Sequence, residues 1–159
     1  MLASLLASLL AWIQLLRLPN HATAVADVLA GYVIVSQART IAWPSQSLWW
    51  AILASLAFYA AGMVLNDVCD LAVDCEERPQ RPLPSGRIGW RSAAGVGNLL
   101  LAVGSAAACG TAFVSQNPWP ALVGALLTSA VWTYTVMPRP QALAPPSWAA
   151  AGPSTGCWA

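Results

Sequence analysis

The chain has 159 residues, of which 58% are hydrophobic and only 8% charged, with a formal net charge of +1. Soluble domains carry about 25% charged residues, so this composition excludes an ordinary water-soluble domain and points to a bilayer protein. There is no lysine, and near-neutrality excludes the basic surface that nucleic acid demands, so no nucleic-acid partner is expected.

The first 17 residues, MLASLLASLLAWIQLLR, are apolar but lack a basic start and a clear small-residue cleavage site. They read as a membrane-associated lead-in to the first span. A spanning helix needs about 20 mostly apolar residues, and four stretches qualify. They run from Leu18 to Ser36, with Pro19 suited to a first helical turn, from Ser47 to Leu65, from Ser92 to Val114, and from Trp119 to Met137. Small residues are dense in all four, as close helix packing in lipid allows. Trp12, Trp43, Trp49, Trp50, Trp90 and Trp119 fall near the ends of these runs, where an aromatic belt sits.

Charge is concentrated between the second and third spans. Residues 66–88, NDVCDLAVDCEERPQRPLPSGRI, hold every acid of the chain except Asp27. Arg78, Arg81, Arg87 and Arg91 follow in and after this stretch, and Arg17 precedes the first span. This bias puts the N-terminus and the 66–91 segment on the cytoplasmic side of a multi-pass integral membrane protein. The four cysteines, Cys69, Cys75, Cys109 and Cys157, show no CxxC pairing and are expected as free thiols rather than as a disulfide framework or zinc site.

If the second helix continues past Leu65, Asn66, Asp70 and Asp74 recur at four-residue intervals. Each drifts only about 40° from the last, and Asp67 joins the same face seven residues before Asp74. Stacked carboxylates repel unless a cation lies between them. Oxygen-only ligands suit Mg²⁺, which binds one or two carboxylates together with substrate phosphates. Glu76 and Glu77 fall off this face and read as solvated charge. Pro79, Pro82 and Pro84 then end the helix, and Ser85-Gly86 forms a turn. Arg78, Arg81 and Arg87 bracket this loop, and the guanidinium fork matches diphosphate oxygens. A purely topological role for these arginines is the competing reading. Asp27 is the one acid within a span, where a carboxylate is either functional or packed near a pocket. His21 is isolated and reads as structural or pocket-lining, and Asn98 as a contact between helices.

The order NDxxDxxxD followed by RPxRPLPSGRI resembles the first aspartate-rich motif of the UbiA superfamily of intramembrane prenyltransferases. Residues 17–32, RLPNHATAVADVLAGY, are similar to the first helix of that family. The resemblance implies an all-α, polytopic membrane helical bundle, here about four transmembrane helices of a nine-helix fold. It implies transfer of a prenyl group from a prenyl diphosphate to a lipophilic or aromatic acceptor, with Mg²⁺ as cofactor and membrane lipid around the bundle. By the same resemblance Asp67, Asp70 and Asp74 are the catalytic acids, and Asn66, Asp70 and Asp74 hold the metal. Asn20, Asn66, Arg78 and Arg81 bind the substrate diphosphate.

The sequence also departs from that family. It has no second DxxxD motif, because no acid follows Glu77. Residues 1–137 are expected to form the N-terminal half of the domain, and residues 138–159 an irregular tail rich in Pro, Ala, Ser and Trp. A GC-rich gene read out of frame produces such a tail, and a shifted frame over residues 147–159 can spell a Cys-Arg-x-Leu-Asn stretch similar to a fifth helix of relatives. The expectation is a truncated chain, inactive alone. The alternatives are a non-catalytic membrane fragment or structural membrane protein, and a CDP-alcohol phosphotransferase, whose DG…AR…G…D…D arrangement is absent.

Overall fold

The computed structural model describes residues 2–39 and 45–136, and every regular element among them is helical. Helix α1 (Leu2–Leu16) leads through a short 3₁₀ turn (Leu18–Asn20) into α2 (His21–Arg39). Next come α3 (Gln46–Cys69), the short α4 (Leu71–Glu77), α5 (Trp90–Ser115) and α6 (Trp119–Val136). Three helical segments, Leu18–Ala38, Gln46–Cys69 and Trp90–Ser115, are long and apolar enough to cross a membrane. Helix α6, 18 residues long, occupies the fourth expected span. The expected all-α membrane bundle is therefore what forms. The belt position of Trp43 and the tail at 138–159 lie outside the described residues.

Two boundaries differ from the sequence expectation for physical reasons. The first span does not begin as α-helix at Leu18, because a 3₁₀ turn over Leu18–Asn20, closed by the His21 N–H on the Leu18 carbonyl, precedes it. Arg17 makes this corner in a left-handed conformation, φ 50° and ψ 47°, which costs a non-glycine residue about 1–2 kcal/mol. The second span does not stop at Leu65 but continues to Cys69, carrying Asn66 and Asp67 into the helix. Cys69 and Cys109 are free thiols as expected.

Helix α3 is the centre of the bundle. A Cβ built on Gly97 of α5 would lie 2.7 Å from the Leu65 side chain, one on Gly104 would lie 3.1 Å from Phe58, and one on Gly110 would lie 2.9 Å from Trp50. The partners run backwards along α3 as the glycines advance along α5, so the two helices are antiparallel and in close contact. Helix α6 joins by the same device, since a Cβ on Gly124 would lie 2.6 Å from Ala108 Cβ. The Ser105 and Thr128 hydroxyls add a bond of 2.8 Å across that seam. Without a hydrophobic drive between helices in lipid, such close approach and interhelical hydrogen bonds supply the association. On another side of α3, Ser55 Oγ donates to the Ala24 carbonyl at 3.3 Å, and the His21 and Tyr59 rings meet edge to face at 5.2 Å. Large apolar side chains such as Ile34, Leu99, Phe113 and Leu126 stay exposed, as lipid-facing residues do.

Helix α1 packs where the bundle ends. Its Ala11 and Leu15 are buried with Val64, Leu71, Leu83, Ile88 and Ala93. One apolar cluster thus joins α1, α3, α4, the Pro-rich loop and the start of α5. It draws the loop back over the end of α3.

The glycine contacts make a testable distinction. Gly124→Ala must push α6 from α5, because the opposing atom is the rigid Cβ of Ala108, and overpacking of this kind costs about 1–3 kcal/mol. Gly62 of α3 has nothing within 4 Å of a built Cβ, so Gly62→Ala should hold or raise stability by up to about 1 kcal/mol. Denaturation in detergent, followed by helical circular dichroism, compares the two.

Candidate functional site

The acid-rich stretch forms where α3 gives way to α4. Asp70 joins them with φ −87° and ψ 3°. The chain keeps helical hydrogen bonds across the joint, Asp70 N to Asn66 O and Asp74 N to Asp70 O, each 2.9 Å. The four polar residues therefore stay on one stripe, about 100° wide by helical arithmetic. That stripe is divided along its length into two pairs with different neighbours.

Asp67 and Asp74 occupy one edge and are buried, with 6% and 4% of their surface exposed. Arg81 Nη1 donates to Asp74 Oδ2 at 2.6 Å and lies 3.7 Å from Asp67 Oδ1. Arg17 Nη2 donates to the same Asp67 oxygen at 3.2 Å. Buried carboxylates require such partners, because an unpaired buried charge costs several kcal/mol. The other edge holds Asn66 and Asp70, both half-buried. Asn66 Nδ2 donates to Asp70 Oδ2 at 2.9 Å, and the Tyr134 hydroxyl of α6 donates to Asn66 Oδ1 at 3.0 Å. Asp74, expected beside Asn66 and Asp70, thus faces the arginines instead. Among the described residues no three His, Cys, Asp or Glu side chains converge as a metal-binding group.

The loop is shaped to deliver Arg81. Backbone bonds from Arg81 N to Arg78 O, Ser85 N to Arg81 O, Gly86 N to Leu83 O and Ile88 N to Pro82 O fold it into successive turns of 3.0–3.1 Å bonds. Gly86 accepts φ 71° there, which a side chain would resist. Leu83 and Ile88 anchor these turns in the apolar cluster. A cleft of about 450 Å³ opens between the loop and α1, lined by Gln14, Arg17, Asp67, Arg78 and Arg81 among others. Arg78 is exposed at its edge.

Two expected residues sit elsewhere. Arg87 donates from Nε to Ser85 Oγ, from Nη1 to Gln14 Oε1 and from Nη2 to the Gln80 carbonyl, and so ties the loop to α1. Asn20 is exposed in the 3₁₀ turn and does not line this cleft. Conversely, Arg17 and Gln14 belong to the cleft and carried no site signal in the sequence beyond Arg17's positive charge. The link from Arg17 to Asp67 spans fifty residues, which no local pattern encodes.

The ion pairs predict a measurable cost. Arg81→Ala should lower stability by about 3 kcal/mol, the low end for a broken buried pair because Arg81 is itself partly exposed. Adding Asp74→Asn should recover part of that loss, since the stranded carboxylate is then removed. Detergent denaturation of the two variants measures both effects.

A family model described as the UbiA prenyltransferase family matches residues 24–153. The chain is 37% identical over 98 residues to the digeranylgeranylglyceryl phosphate synthase of Sulfolobus acidocaldarius, an alignment covering 61% of this chain and 34% of that protein. The enzyme of the same name from Sulfurisphaera tokodaii is 34% identical over 97 residues, with 61% and 34% covered. That from Methanoculleus marisnigri is 36% identical over 86 residues, with 54% and 29% covered. The chain thus spans about a third of the length of the curated relatives it matches. No solved structure matches it.

Proposed function

This chain belongs to the UbiA prenyltransferase family, and on that premise we propose that it carries a prenyl-diphosphate-binding site of an intramembrane prenyl transfer reaction. The observation that carries this reading is the adjacency, at one end of the bundle, of the Asn66–Asp70 oxygen pair and the arginine-lined cleft. The donor chemistry fits Mg²⁺: Asn66 and Asp70 offer hard oxygen ligands, with no thiolate or imidazole among them. Asn66 and Asp70 would hold the ion, which when bound supplies charge neutralisation on the leaving diphosphate, and Asp74 would join them only on release from Arg81.

The chain's own groups would do the rest. Arg78, exposed at the cleft edge, would take diphosphate oxygens directly, and Arg81 would share them from its place beside Asp74. Asp67, held by Arg17 and Arg81, would fix the position of Arg81. Tyr134 would orient the Asn66 amide through its hydroxyl. The apolar bundle would keep water from the reacting carbon. Asn20 would meet the substrate only from the rim of the site. The relatives' name describes a glyceryl phosphate bearing geranylgeranyl groups, which supports a lipophilic rather than an aromatic acceptor. The motif end and the N-terminus would face the cytoplasm. Arg17 and the 66–91 stretch meeting at Asp67 supports one common side for both basic regions.

Titration of the detergent-solubilised chain with geranylgeranyl diphosphate, with and without Mg²⁺, tests this reading. Binding should require Mg²⁺ and weaken at least tenfold in Asp70→Asn. Binding unaffected by both Mg²⁺ and Asp70→Asn would refute it in favour of a structural membrane protein.

A further inference from the structure

A second cavity lies deeper along the bundle, away from the arginines. It measures about 720 Å³ and runs between α2, α3 and α6. Its walls are mainly apolar, with Ala51, Phe58, Tyr59 and Leu127 among them, and Asp27 enters it from α2. Asp27 also lines an adjoining cavity of about 600 Å³, which shares Ala51, Asn117, Trp119 and Pro120 with the first. Asp27, itself exposed, therefore stands where the two open grooves meet, with Asn117 lining both. No ion pair among the described residues engages Asp27.

The α3 face that floors this cavity leads to the motif. Ala51, Ser55, Tyr59, Gly62, Asn66 and Asp70 follow one another at intervals of three or four residues and so share one side of the helix. Gly62, between the cavity and Asn66, has open space over its backbone: a Cβ there would meet nothing within 4 Å. On α6, Leu127 lines the cavity and Tyr134, two turns on, bonds Asn66. This face of α3 therefore passes from the cavity over Gly62 to the Asn66–Asp70 pair. From Asn66 to Ala51 it covers 15 residues of α3, or about 22 Å at the helical rise.

We propose that Asp27 sets the length of prenyl chain this site accepts, closing as a polar stop the apolar lane that starts at Asn66 and Asp70. The inference rests on the prenyl-diphosphate reading and adds the residue that limits the tail. A tail short of Asp27 lies on a mainly apolar wall. A longer one must press hydrocarbon against a carboxylate and the Asn117 amide, displacing whatever solvates them, which is unfavourable. Replacing Asp27 by leucine removes the penalty, and filling the space over Gly62 blocks every tail near its start.

The experiment is Mg²⁺-dependent binding to the detergent-solubilised chain, read by tryptophan fluorescence, since Trp119 lines the cavity. The probes are inorganic diphosphate, geranylgeranyl diphosphate and the longer nonaprenyl diphosphate. The wild-type chain should favour geranylgeranyl over nonaprenyl diphosphate at least tenfold, and Asp27→Leu should erase that preference by tightening the longer probe alone. Gly62→Leu should lose both prenyl probes while keeping inorganic diphosphate and thermal stability, since a Cβ there meets nothing within 4 Å. Equal binding of both tails by the wild type, or a preference that survives in Asp27→Leu, overturns the stop at Asp27. Undiminished tail binding by Gly62→Leu overturns the lane. If no probe binds the wild type, the prenyl-diphosphate reading itself falls, a result distinct from a lost length preference.

Discussion

Two ionised carboxylates buried at the end of a helix carry a heavy desolvation cost unless cations stand beside them. Asp67 and Asp74 are nearly inaccessible, and their neutralisation by Arg81 and Arg17 organises this end of the molecule. To reach Asp74, Arg81 needs the loop folded back over α3, so the loop turns, with Leu83 and Ile88 in the apolar cluster. To reach Asp67, Arg17 needs α1 alongside α3 and a left-handed corner before the 3₁₀ turn. The strain at that corner is tolerated because a buried charge depends on it.

The same pairing divides the polar stripe. Because the arginines lie against one edge, Asn66 and Asp70 stand on the other, where Tyr134 of α6 bonds Asn66. The outcome is a site with two characters. One side is an ionic cleft lined by arginines, and the other is an oxygen pair beside α6.

Glycine does the remaining work of assembly. At Gly97, Gly104, Gly110 and Gly124 it lets helices touch, whereas at Gly62 the same residue leaves space. The two uses cannot be told apart by sequence, because both are a glycine within an apolar run. They differ only in what stands opposite.

Much was legible before any coordinates. A low charge content and four long apolar runs determine an all-helical membrane bundle, because a bilayer leaves the backbone few other ways to satisfy its hydrogen bonds. Helical spacing placed Asn66, Asp67, Asp70 and Asp74 on one stripe, and the prolines marked the loop. These are local properties, and a chain encodes them within a few turns. Tertiary structure alone decided which edge of the stripe meets the arginines, that Arg17 serves Asp67, that Arg87 is spent on Gln14 and the loop backbone, and that Asp27 faces a cavity. Each of these depends on contacts between helices far apart in the chain, where packing rather than periodicity selects the neighbour.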